Sequence, residues 1–215
     1  EHVLLVVKDY NAILTSLDAE ERLLFADRIH YLDRKVSPGI NKLLWVSAAN
    51  QLDYFIKEAR KFCKEVMSTV DYFKSSHRRI ESYCRVTSRM TLISIEKKRV
   101  YENDDFTERQ VAHRNWVKDS FDKAFKDISD TMTSTFEIFA NDSDEVKEKW
   151  VQYTQKIDKR MEDSLRLTVK RSLQDLSRSL NGDAKTEVIP MFGPNLILGK
   201  NDLVELKPSL QDLYN

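Results

Sequence analysis

The chain has 215 residues, with 35 Lys and Arg balanced by 35 Asp and Glu. Zero net charge argues against nucleic acid as a partner, and no apolar run approaches the ~18 residues of a membrane span, so no membrane partner is expected either. Four Gly and four Pro are few breakers for a chain that is one-third charged, which favours solvated helices. The start, Glu1-His2-Val3-Leu4-Leu5, lacks both Met and a leader pattern and reads as the edge of a segment from a longer protein.

Leu4, Val7, Tyr10 and Leu14 share one face of a helix over residues 3–16. Asp18-Ala19-Glu20-Glu21 is a capping box that opens a second helix through Leu23, Leu24, Ile29 and Leu32, stopped before Pro38-Gly39. Residues 40–46 read as a connector whose Leu43, Leu44 and Trp45 plug into the core. Helical periodicity resumes at Ala48 and runs through Leu52, Phe55, Ile56, Ala59, Phe62, Cys63, Val66, Val70 and Phe73, then less cleanly through Ile80, Tyr83, Val86, Met90 and Ile93. Thr107 to Gln110 is a further capping box, leading into Trp116, Val117, Phe121, Phe125, Ile128, Met132, Phe136 and Phe139. The last helix is the most regular. From a cap at Asp142 with Glu145, its stripe is Val146, Trp150, Tyr153, Ile157, Met161, Leu165, Val169, Leu173, Leu176 and Leu180, and Gly182 ends it. At 1.5 Å per residue it is roughly 55–60 Å long, a length suited to lying beside other long helices. Beyond it, Ile197-Leu198 and Val204-Glu205-Leu206 flank Gly199-Lys200-Asn201-Asp202 as a hairpin, and Pro208 starts a short helical piece.

The expected fold is all-α: an elongated bundle of long antiparallel helices with a small C-terminal hairpin or loop segment. Residues 1–47 are entry helices and a Pro-Gly connector, 48–182 the bundle (helices at about 48–101, 107–140 and 143–181), and 183–215 a boundary segment. Charge is segregated: residues 57–99 hold twelve bases and five acids, residues 102–145 twelve acids and five bases. Two antiparallel helices with opposite charges facing each other account for this. The alternative is a basic face around Arg78, Arg79, Arg85 and Arg89 that meets an acidic partner.

Candidate chemistry is thin. Gly193 to Asn201 superficially suggests a phosphate loop, but five residues separate its glycines where four are needed, and Asn201 replaces the hydroxyl that would hold magnesium. Cys63, His77 and Cys84 lack the short paired spacings of a zinc site. The two cysteines, 21 residues apart and near six helical turns, read as reduced core thiols on one stripe. His113 reads as a structural histidine between helices. No catalytic, cofactor-binding or metal-binding residue is assigned. Phe73, Arg78, Arg79, Tyr83, Arg85, Tyr101 and Trp116 are the candidate partner interface, where the apolar face is broad or irregular or the charge concentrated.

Tyr10-Asn11-Ala12-Ile13-Leu14, Glu20 to Phe25, Leu32-Asp33-Arg34-Lys35 and Pro38 to Trp45 resemble the N-terminal tail of dynein heavy chains, axonemal in flavour, with the outer-arm type as the suggested subtype. The same tail is matched further along by Val146 to Trp150, Ile157-Asp158-Lys159, Val169 to Leu173, Asn181-Gly182-Asp183 and Leu206 to Leu210. The resemblance implies a non-catalytic scaffold in the cytoplasmic cytoskeleton, within the axoneme of a cilium or flagellum. Its implied partners are other dynein heavy chains, dynein intermediate and light chains and the axonemal docking complex. The parent would be an ATP-driven, minus-end-directed microtubule motor powering ciliary beating, with ATP and Mg in a motor domain outside these residues. A spectrin-like or coiled-coil cytoskeletal adaptor is the competing reading and would carry ~100-residue repeats or sustained heptads; a helical enzyme would cluster polar residues on an apolar face.

Overall fold

The computed structural model describes residues 2–38, 49–96, 102–182, 195–198, 204–207 and 209. Among them are six helices and one hairpin: α1 His2–Ser16, α2 Ala19–Leu24, α3 Ala26–Pro38, α4 Ala49–Thr87, α5 Asn103–Phe136, α6 Asp144–Asn181, β1 Asn195–Leu198 and β2 Val204–Lys207. The all-α class with its C-terminal hairpin is therefore observed. The strands are antiparallel, pairing Leu196 with Leu206 and Leu198 with Val204. The Leu43, Leu44 and Trp45 plug, Tyr101 and the helical piece from Pro208 lie outside the described residues.

The chain forms two compact units, each built from two stretches of sequence. The first comprises residues 1–87 and 121–164, the second residues 88–120 and 165–215.

The first unit holds the core. Along α4 the inward positions are Ile56, Ala59, Cys63, Val66, Val70, Phe73, His77, Ile80, Cys84 and Thr87, all buried except the half-buried His77. Their steps alternate between three and four, the narrow seam of a helix packed along its length. Val6 and Ile13 of α1, Leu32 and Val36 of α3, and Val146 and Trp150 of α6 close over its first half. Ile128 and Ile157 close over the second. Phe73 touches Tyr153, His77 bonds Tyr153, and Ser164 bonds Cys84, so α4 and α6 advance together. Phe139 lies by Phe73 while Ile128 joins Ile80 and Cys84, so α5 runs antiparallel to α4.

The Asp18 capping box forms: its Oδ1 accepts the Glu20 and Glu21 amides, and Glu21 accepts the Asp18 amide. Gly182 ends α6 with φ of 73°, a left-handed conformation that glycine adopts without steric cost. Other boundaries differ from the expected ones. The helix expected from Asp18 to Pro38 breaks at Phe25. A continuous helix sets adjacent residues about 100° apart; the break lets Leu24 and Phe25 both turn inward. The helix expected over 48–101 stops at Thr87, whose hydroxyl donates to the Tyr83 and Cys84 carbonyls. α5 starts at Asn103, so Thr107 is inside the helix and donates to the Asn103 carbonyl instead of capping, and α5 ends at Phe136, not 140. At α6 the Asp142 cap gives way to Ser143, because Asp142 is drawn to Arg28.

Candidate partner interface

The residues singled out as an interface scatter. Phe73 is 1% exposed, its ring edge-on to Phe25 at 5.6 Å and to Phe139 at 6.1 Å; this is a core position, not a contact surface. The broad apolar face there is used internally, because three aromatic rings from α4, its neighbouring break and the α5–α6 turn need one another's edges. Tyr83 is half-buried against the Ile80–Ile128–Ile157 cluster. Arg79 is exposed and bonds Tyr83, with Asp127 nearby; both raise the guanidinium pKa. Arg78 and Arg85 are also exposed. Trp116, on the part of α5 in the second unit, is 56% exposed.

Of the expected α4–α5 charge match, Asp127 of α5 adds a minor attraction to Arg79 of α4. Other α4 charges turn elsewhere: Arg60 pairs with Asp9 at 3.2 Å, Lys74 with Glu21 at 3.1 Å, and Glu81 with Arg160. At the centre, His77 Nδ1 lies 2.8 Å from the Tyr153 hydroxyl while its ring stacks on Phe73. Burial, then Arg160, lower the His77 pKa. Cys63 and Cys84 are buried free thiols; burial pushes Cys63 up to about 11, a state unsuited to nucleophilic work. His113 accepts the structural role: its Nε2 is 2.8 Å from the Thr91 carbonyl.

The second unit is built differently. Residues 88–96 are irregular, and their backbone groups need side-chain partners. Gln110 supplies two, accepting the Ser94 amide at 3.1 Å and donating to the Ser94 carbonyl at 2.7 Å. Ser172 accepts the Leu92 amide at 2.7 Å and donates to Thr168. In the first unit Ser164 likewise donates to the carbonyl of Cys84, in the last turn of α4. The buried row of late α6 is therefore Ser164, Thr168 and Ser172, one residue before each leucine or valine of the expected stripe. Leu165, Val169, Leu173 and Leu180 are exposed, with Leu173 at 60%. Leu165, Val169 and Leu173 line a shallow apolar groove edged by Arg166, Lys170 and Arg178. The signal for this was in the sequence: three hydroxyl residues spaced by four.

Among the described residues no cluster of His, Cys, Asp and Glu is arranged to hold a metal ion, and no described helix is long and apolar enough to cross a membrane. What the geometry offers is packed apolar seams and exposed helix faces, and the class they define is a mainly helical segment.

Comparison with known proteins supplies the family. The chain is 44% identical over 215 residues to the "Dynein-1-beta heavy chain, flagellar inner arm I1 complex" of Chlamydomonas reinhardtii. It is 40% identical over 219 residues to the human "Dynein axonemal heavy chain 2" and 38% identical over 218 residues to the mouse protein of that name. The matches cover 99–100% of this chain but 5% of each relative. No family model matches. The homologues of the chain are axonemal dynein heavy chains, and it spans about one twentieth of their length. The outer-arm expectation draws no support from these names, one of which specifies an inner-arm complex.

Proposed function

We propose that this segment is a non-catalytic tail scaffold of an axonemal dynein heavy chain, working in the axoneme of a cilium or flagellum. It associates heavy chains with one another, seats intermediate and light chains, and contributes to docking on the doublet microtubule. The parent is an ATP-driven, minus-end-directed motor whose ATP and Mg sites lie outside these residues. The observation that carries the reading is the match to axonemal heavy chains along the whole of this chain, joined to three long helices of 39, 34 and 38 residues, of which α4 packs through a narrow seam. Long seams suit a part that must hold position under load, because many contacts along them must fail together.

The test is retention. Residues 1–215 are immobilised and a salt extract of ciliary axonemes is passed over them. Dynein heavy, intermediate or docking subunits should be held, and lost when the exposed apolar residues are made polar. No retention by a chain shown to be folded would overturn the scaffold role and leave a spacer between contact sites elsewhere.

A further inference from the structure

Apolar burial is unevenly divided between the two units. Among the described residues of the second unit Val117 is a buried hydrophobic, while Leu92, Val111, Trp116, Leu165, Leu167, Val169, Leu173, Leu180, Leu196, Leu198 and Val204 are large hydrophobics left exposed. Exposed apolar residues in isolation mean little, but a contiguous row marks a contact surface. The row on α6 is contiguous: Leu165, Val169 and Leu173 are spaced by four, so they lie one above another on the helix.

We infer that the Leu165–Leu180 face of α6 is the docking site for an amphipathic helix whose apolar stripe is flanked by acidic side chains. The shape selects a helix. The groove runs along α6 from Leu165 to Arg178, about 20 Å at 1.5 Å per residue, and a straight helix surface presents ridges and grooves that another helix fills. The charge selects the flank. From Leu165 to Asn181, α6 carries Arg166, Lys170, Arg171 and Arg178 against Asp175, four positive charges and one negative. Arg166, Lys170 and Arg178 border the groove itself. A lysine-flanked helix would meet like charge at that border, whereas glutamates at the matching positions would lie opposite Lys170 and Arg178. The hydroxyl row explains why the face is left open: Ser164 and Ser172 are committed inward to the backbone they bond, with Thr168 buried between them, which turns the neighbouring apolar row outward.

The inference deepens the scaffold reading by naming the partner's chemistry, but its test uses only the purified chain, so it can fail while axonemal retention succeeds. Two synthetic helices of equal length share one leucine stripe; one is flanked by glutamate, the other by lysine. Binding to the 215-residue chain is read by fluorescence anisotropy. The glutamate helix should bind at least ~10-fold tighter, and this preference should shrink with salt. Leu173→Asp should weaken binding ~10-fold or more, and Lys170→Glu with Arg178→Glu should reverse the preference. All three positions are on the open face, and circular dichroism verifies that each variant is folded. Equal binding of both helices, or indifference to Leu173→Asp, would overturn the proposal. Two further results would also overturn it: sedimentation showing a dimer that Leu173→Asp dissolves, which makes a second copy the occupant, and Val169→Cys shielded from maleimide in the monomer, which places another part of the chain on the face.

Discussion

Arg28 reaches across 114 residues of sequence to pair with Asp142, and its second amino group donates to the carbonyl of Ile138. The same guanidinium lies 5.5 Å from the Phe139 ring centroid and 6.0 Å from that of Phe25. Beside it, Asp27 accepts the Ser143 amide at 2.6 Å and the Ser143 hydroxyl at 3.0 Å. Two adjacent residues at the start of α3 thus fasten the turn between α5 and α6. With both partners mostly buried, Arg28→Ala should cost about 2–4 kcal/mol, because it strands the Asp142 carboxylate. Asp142→Asn keeps an acceptor and should cost about 1 kcal/mol. Urea denaturation of both variants measures the difference; equal, small losses would mean the clamp is ornamental.

Phe73 and Trp116 were grouped as contact candidates, and the structure separates them. Phe73→Ala should lose about 3–5 kcal/mol, the range for a large side chain deleted from a packed core. Trp116→Ala, at an exposed position, should stay within about 0.5 kcal/mol. Thermal melts of the two variants check this, and a large loss at Trp116 with none at Phe73 would reverse the assignment.

His77 gives the first unit a sensitivity to acid. Its pKa in the folded chain is lowered from 6.5 by burial and by Arg160, with Lys74 adding and Glu21 and Asp18 opposing; Glu81 faces its Nε2 at 3.8 Å. The unfolded chain therefore takes up the proton first. The stability this neutral imidazole contributes is complete above pH 6.5 and is lost as pH falls through the lowered folded value. His77→Gln should flatten that slope in urea midpoints collected on both sides of pH 6.5; an unchanged slope would assign the effect to other groups.

The irregular segment 88–96 depends on side chains for its backbone bonds. Ser172→Ala removes the acceptor of the Leu92 amide, and the stranded group should cost about 1–2 kcal/mol locally. Hydrogen exchange at Leu92 should quicken while amides in the middle of α4 keep their protection. Uniform quickening throughout the chain would instead point to global unfolding.

Much of this architecture was legible in the sequence. The scarcity of Gly and Pro, the Asp18 box, the Gly182 stop and the three- and four-residue spacing of apolar side chains are local features, and helices and turns answer to local features first. The pairing of Ile197-Leu198 with Val204-Glu205-Leu206 was legible for the same reason. The dynein likeness was carried by the order of short patterns along the chain. The α4 end was not legible, because Val86 and Met90 continue a helical period past Thr87, where the helix stops.

What only the tertiary structure decided is which face of a helix turns inward. On α6 the period offers two adjacent rows, Ser164-Thr168-Ser172 and Leu165-Val169-Leu173, and hydrophobicity favours the second. The first is buried, because backbone groups sheltered from water at the α4 end and in residues 88–96 need hydroxyl partners, which Ser164 and Ser172 supply. An unpaired buried peptide group costs about 1–3 kcal/mol, comparable to the gain from burying a leucine. Arg28 and Asp142 were equally invisible as partners, since nothing local reveals which charge a folded chain will bring across 114 residues.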